Sequence, residues 1–364
     1  MKKKFWLPFA FAVALFVLAV VIPCLRAGET STTYQVLAPI RHGNLTIFPV
    51  VSGRSHDTSK FLTLDEGLRS GEVIVTEAGN VSPLVRPRHP HPNWQEIRPG
   101  DGAEVNRLVL VNNSKKPLLL LAGEIVTGGK QDRIIGKDRL VPAESDPIDL
   151  GVFCVEPGRW VGNSAKFHAP AAMVQPSVRS KAMADKDQQK VWDEVGKARM
   201  GAAQTVTVQA EAVEVEQTSS YARVMQNSAV QAKIDAVAAP IEQDYKSVIS
   251  QLRDRNSVGV VVAVNGEVIW ADVFASTKLL EKYWPKLVRS YAAESVVQQA
   301  KSSSVEVKAA QEFLDRLQGR REVVESEPGL YRHTEVSGDG YKVFELTSLL
   351  PNTGFELHLA KMSE

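Results

Sequence analysis

The sequence predicts an α+β fold: mixed, largely antiparallel sheet with packed amphipathic helices, and an internally duplicated half-domain as a further expectation. Three observations carry this. Val258 to Val264, Asn265-Gly266 and Glu267 to Phe274 place two apolar runs around the dipeptide best suited to a tight primed turn. Two segments, Ile234 to Leu252 and Lys278 to Lys301, repeat apolar residues at steps of three and four, as helices with one buried face do. Strands and helices mix without regular βαβ alternation, which argues against a doubly wound parallel sheet.

The elements follow in order. After a polar lead-in over residues 28–43, Leu45 to Val51 reads as a strand that Pro49 places at an edge or a bulge. Thr63-x-x-Glu66 has the spacing of a capping box, so a short helix starts there and stops near Gly71, and Val73 to Val75 follows as a strand. Pro83, Pro87, Pro90, Pro92 and Pro99 mark a surface excursion over residues 83–99. Its His89 and His91 lack a third ligand nearby and read as solvated residues rather than a metal pair. Val105 to Val111 is a strand, 161–180 is loop-like, and Val191, Trp192, Val195 and Ala198 share one face of a helix from Asp187 to about Arg199. Thr205 to Glu216 fits either a strand or a solvated connector.

The helix begun near Ile234 is kinked or restarted at Pro240. Leu279, Leu280, Tyr283, Trp284, Leu287, Val288, Tyr291 and Ala292 give the 278–301 helix a broad apolar stripe, and Phe313, Leu314 and Leu317 indicate one more short helix. Tyr341 to Leu346 and Phe355 to Leu359 close the chain as strands. The latter alternates Phe355, Leu357 and Leu359 with polar neighbours, so one face should be buried. Leu118 to Ile125 and Val260 to Val268 both run apolar, turn at Gly-Glu and resume apolar, which is the basis for expecting a duplicated half-domain.

Met1-Lys2-Lys3-Lys4, the apolar run Phe5 to Cys24 and Leu25-Arg26-Ala27 have the layout of a secretory signal over residues 1–27, cleaved after Ala27. Residues 5–24 are also long enough to remain as a membrane anchor with the domain outside the cytoplasm. The expected location is periplasmic or secreted, with residues 44–364 as one α+β domain. Loss of Lys2, Lys3, Lys4 and Arg26 takes the formal charge from +1 to −3, so no basic surplus remains for nucleic acid. It also leaves Cys154 as the one cysteine, without an internal disulfide partner.

The richest chemistry lies between Pro117 and Trp160. Gly128-Gly129 offers backbone amides beside Lys130, Gln131, Asp132 and Arg133, a combination suited to an anion, although the spacing is not that of a P-loop. The alternative is that the glycines supply turn dihedrals and Asp132 and Arg133 pair locally. Glu124, Asp132 and Glu156 are candidate acid–base carboxylates. Cys154, within apolar Val152-Phe153-Cys154-Val155, reads as buried; a nucleophilic role would need exposure and a base such as His168. Arg159-Trp160 suits a pocket rim. No residue set points to a metal or to a particular cofactor.

Leu121-Ala122-Gly123-Glu124, Gly128 to Arg133, Val141-Pro142-Ala143 and Val152 to Trp160 together resemble the core motifs of the ADP-ribosylglycohydrolase- and rhodanese-phosphatase-associated protein domain family. Val191-Trp192, the 260–274 hairpin and Tyr283-Trp284 through Tyr291 extend the likeness over most of the chain. The resemblance implies a phosphate-, nucleotide- or ADP-ribose-like ligand by association. The expectation is therefore an exported domain binding a small anionic or polar ligand through Gly128, Gly129, Lys130, Gln131, Asp132, Arg133, Arg159 and Trp160. Its rivals are a hydrolase using Glu124, Asp132 and Glu156, or a non-catalytic envelope interaction protein.

Overall fold

The Asn265-Gly266 turn sits at the centre of the architecture. Both residues adopt positive φ, 54° and 79°, so the flanking strands Asn256–Val264 and Glu267–Phe274 close as an antiparallel hairpin in the middle of a nine-stranded sheet. The computed structural model describes residues 34–77, 106–159, 164, 166–252, 255–301 and 303–364. The segments 1–27 and 83–99, with His89 and His91, and Trp160 lie outside the described residues.

On one side of the hairpin come Leu45–Ser52 and then Tyr34–Val36, with Ile40–His42 also on Leu45–Ser52. These two short strands fall in the stretch read from the sequence as a polar lead-in. On the other side come Glu356–Ser363, Tyr341–Ser348, Tyr331–Gly338 and the exposed edge Arg320–Glu327. Two smaller sheets complete the fold. One orders Arg139–Val141, Leu118–Leu120 and Leu62–Thr63; the other orders Val73–Thr76, Arg107–Asn112, Ile148–Cys154, Arg133–Ile135 and Ile125–Val126. Seventeen strands, antiparallel in all but one pairing, and eight α-helices make up the described residues, and the class is α+β.

The near-continuous apolar run Val260 to Val264 has a simple cause, since the large sheet is covered on both faces. Val260 and Val262 pack with Ile234, Ile241, Leu287 and Tyr291 of the helices Ser228–Ser250 and Thr277–Val297. Val261 and Ala263 pack with Phe313 and Leu314 of the helix Val307–Asp315. Each fully buried side chain of the Val, Leu or Phe class contributes about 1.5–3 kcal/mol. Tyr245 and Trp284 stack across the two long helices at 4.1 Å.

Several local expectations hold. Thr63 and Glu66 form the reciprocal capping box of the helix Leu64–Ser70, which ends on Gly71 at φ 75°. Asp187 caps the helix Gln188–Thr205 through Lys190 N. Of the two placements expected for Pro49, the bulge holds and the edge does not. Pro49 faces the interruption between Val36 and Ile40 and lies beside the register shift at Ser257/Gly259, where a missing N–H disturbs no ladder. The helix around Pro240 runs unbroken from Ser228 to Ser250, and the ambiguous 205–216 stretch is mostly the helix Gln209–Gln217. The two Gly-Glu stretches fold differently. Val260 to Val268 turns within a hairpin, whereas Leu118–Leu120 pairs with Arg139–Val141 and Ile125–Val126 with Arg133–Ile135.

Candidate functional site

Four positive-φ glycines shape the central stretch: Gly123 at 87°, Gly128 at 134°, Gly129 at 49° and Gly158 at 93°. A Cβ on Gly129 would stand 2.3 Å from the Phe167 ring, so the turn closes only with glycine there. Asp132 then folds back, its Oδ1 accepting from Gly128 N at 3.3 Å.

This turn meets the 154–159 segment. Asp132 N donates to Glu156 Oε2 at 3.0 Å, and Gln131 Nε2 donates to the Glu156 carbonyl at 3.1 Å. Arg159 Nη2 lies 2.6 Å from Glu156 Oε2 and 3.6 Å from Asp132 Oδ1, while its Nη1 donates to Gly129 O at 3.2 Å. Ser220 Oγ donates to Asp132 Oδ2 at 3.0 Å. Two buried carboxylates thus share one guanidinium. Burial, and then the neighbouring Glu156 charge, raise the Asp132 carboxyl above the usual range. Its hydrogen bond to Glu156 raises Arg159 despite burial.

The remaining members of the turn are placed differently. Lys130 is half-buried, with its N donating to Glu77 Oε1 at 3.0 Å; Arg133 is fully buried, its Nη1 donating to the Asp132 carbonyl. Glu124 belongs to another group. Its Oε1 is 2.5 Å from Lys286 Nζ, which also reaches Asp65 Oδ2 at 2.6 Å, and its Oε2 accepts from Leu121 N at 2.7 Å. No hydrogen bond or ion pair joins Glu124 to Asp132 or Glu156 among the described residues.

Cys154 is buried and free, with Sγ accepting from Glu156 N at 3.4 Å, and burial pushes its thiol pKa up. His168 is exposed and bridged through its backbone to Thr127. With Cys24 replaced by serine, native protein is expected to leave a thiol-reactive dye unchanged over hours and to release one equivalent on unfolding in urea. Rapid labelling of native protein would show that the thiol is reachable.

A second polar group escaped the sequence reading. Arg179 forms a two-pronged pair with Asp272, Nη1 to Oδ2 at 2.9 Å and Nη2 to Oδ1 at 3.1 Å, and its Nε donates to the Ala122 carbonyl at 3.2 Å. His358 bridges Asp272 at 3.1 Å and Asp138 at 2.5 Å; Ala122 N donates to Asp138 Oδ1 at 2.8 Å, and Tyr291 OH donates to Asp272. Arg179, Asp272, His358 and Asp138 have no solvent-exposed surface. Gly123 permits this crossing, since a Cβ there would lie 2.5 Å from Arg179 Cγ. The available signal was an isolated Asp272 between Ala271 and Val273 and an isolated His358 between Leu357 and Leu359, polar residues in strands buried on both faces.

Above the Asp132–Glu156–Arg159 group opens a cleft of about 500 Å³, walled by Glu156, Arg159, Glu214, Thr218, Arg223 and Asn227. Arg223 is exposed at its rim. Among the described residues no set of His, Cys, Asp and Glu is arranged to hold a metal ion, and no helix is long and apolar enough to cross a membrane. No curated protein and no solved structure matches the chain. The profile of the ARG and Rhodanese-Phosphatase-superfamily-associated Protein domain matches residues 33–360, and the chain belongs to that family.

Proposed function

We propose that this chain is an exported, single-domain binding protein for a small anionic or polar molecule, and that the cleft over Arg159 is its site. The observation that carries the reading is the convergence of the Gly128–Asp132 turn, Glu156 and Arg159 beneath a cleft of about 500 Å³, a size within the range of small-molecule sites. Arg159 and Arg223 supply positive charge to an anionic group, and Thr218 and Asn227 supply hydroxyl and amide partners. The family name associates the domain with ADP-ribosylglycohydrolase and phosphatase-superfamily proteins, which supports a phosphate-, nucleotide- or ADP-ribose-like ligand. The amino-terminal lysines and apolar run support export.

Calorimetric titration with ADP-ribose, a nucleoside monophosphate and a sugar phosphate tests the site. Arg223 is exposed, so Arg223→Ala should leave the fold intact and weaken binding by about tenfold, the loss of ~1.4 kcal/mol. Equal affinity in both proteins would remove the cleft from consideration.

One observation favours a hydrolytic role for the same site. The raised Asp132 carboxyl beside Glu156 is an environment that separates an acid from a base. In that case Asp132→Asn abolishes turnover of a bound phosphate or glycosidic ester while affinity is retained.

A further inference from the structure

His333, on the strand Tyr331–Gly338, is 2 % exposed, and neither of its ring nitrogens has a hydrogen-bond partner among the described residues. A buried polar group left unmatched gives up its hydration with nothing in return, so such a group calls for a partner. The ring lines a cavity of about 180 Å³, separate from the Arg159 cleft. Strand register decides what shares it. Glu325 stands directly opposite His333 on the neighbouring strand, and Glu335 lies two residues further along the same strand, on the same face.

Each carboxylate is matched by a lysine. Lys137 pairs with Glu325, and Lys186 Nζ lies 2.5 Å from Glu335 Oε1. Lys186 arrives through the π-helical turn Lys181–Asp185 and takes a left-handed φ of 53°, a conformation uncommon outside glycine. Met183 and Phe344 give the cavity an apolar floor, the Phe344 ring stacked 6.3 Å from His333. Burial lowers the His333 pKa, so at neutral pH the imidazole is uncharged, with one nitrogen donating and the other accepting. The wall therefore carries two cations, two anions and a neutral ring that lacks both kinds of partner.

We propose that this cavity binds a small zwitterion of the free amino-acid class. Its carboxylate lies between Lys137 and Lys186, its ammonium between Glu325 and Glu335, one of these groups hydrogen-bonds His333, and its side chain rests on Met183 and Phe344. A ligand of net charge would leave one sign of the balanced wall unmatched. The volume, about 180 Å³, equals that of about six liquid waters, which admits a short aliphatic side chain.

Calorimetry of the full chain with glycine, alanine and valine, and with acetate and ethylamine as singly charged controls, tests this. The expected result is one-to-one binding of at least one amino acid and of neither control. Lys186→Met, at a half-exposed side chain, weakens that binding at least tenfold with an unchanged circular dichroism spectrum; His333→Phe abolishes it, and Arg223→Ala leaves it unaltered. The proposal is overturned by the absence of heat at millimolar amino acid, by acetate binding as well, by affinity indifferent to Lys186→Met, or by zinc binding in place of the amino acids. Because Arg223→Ala reports on the other cleft, either site can fail alone.

Discussion

Arg179→Met should lower stability by about 3–5 kcal/mol, the range for removing one partner of a buried ion pair. The substitution nearly preserves volume, so the loss is electrostatic. Asp272 would keep its charge with no exposed surface after losing two guanidinium bonds at 2.9 and 3.1 Å, and the Ala122 carbonyl would lose its donor as well. Burial acts to raise the Asp272 pKa, yet Arg179 and His358 hold it far below the usual carboxylate range, a measure of how strongly the anion depends on these cations. Since whole-domain stabilities are about 5–15 kcal/mol, the urea midpoint should fall by a large fraction of its value. Adding Asp272→Asn to Arg179→Met should recover part of the loss, because the uncompensated charge goes. A single variant within ~1 kcal/mol of wild type would mean that the pair is not a structural requirement.

The second large effect is a pH dependence centred on His358. Burial alone would lower its pKa, but Asp138 and Asp272 on either side of the ring outweigh this and raise it from 6.5 to about 9. A pKa raised in the folded state means that the stabilisation is fully present below pH 6.5 and is lost as pH rises through 9. The shift corresponds to about 3 kcal/mol. The measurement is the stability difference between wild type and His358→Gln from pH 6 to 10, which should shrink by roughly that amount. Lys361, which burial lowers to about 7, titrates in the same interval in both proteins and drops out of the difference. A difference that stays level across this range would show that the imidazole carries no shared proton.

The motif Leu121-Ala122-Gly123-Glu124 shows how far residue types can be read without coordinates. Its polar and glycine residues suggested ligand chemistry, and the stretch proves to be the hub of the interior. Ala122 accepts from Arg179 and donates to Asp138, Gly123 makes room for the Arg179 stem, and Glu124 holds Lys286. By contrast, the meeting of the Gly128–Asp132 turn with Glu156 and Arg159 was anticipated from the density of functional groups. Sequence density could not show that their charges would be largely matched to one another. His333 gave no signal at all, being one polar residue in an unremarkable strand.

What the sequence determined by itself was the class, the central hairpin, the helix caps and the long amphipathic helices. Those follow from hydrophobic period, turn dihedrals and capping side chains, all set within a few residues of chain. Tertiary structure decided which charges meet. Asp272 and His358 come together because Phe274 pairs with His358 across neighbouring strands, and Glu325 reaches His333 because their strands align in that register. It also decided that the closing strand would be buried on both faces: Leu359 packs with Phe313 and Leu314 of the helix Val307–Asp315, while His358 and Ala360, on the side that alternation alone assigned to solvent, meet Asp272 and the cluster of the long helices. Coulomb energies and desolvation depend on distance and depth, and neither is encoded in spacing along the chain.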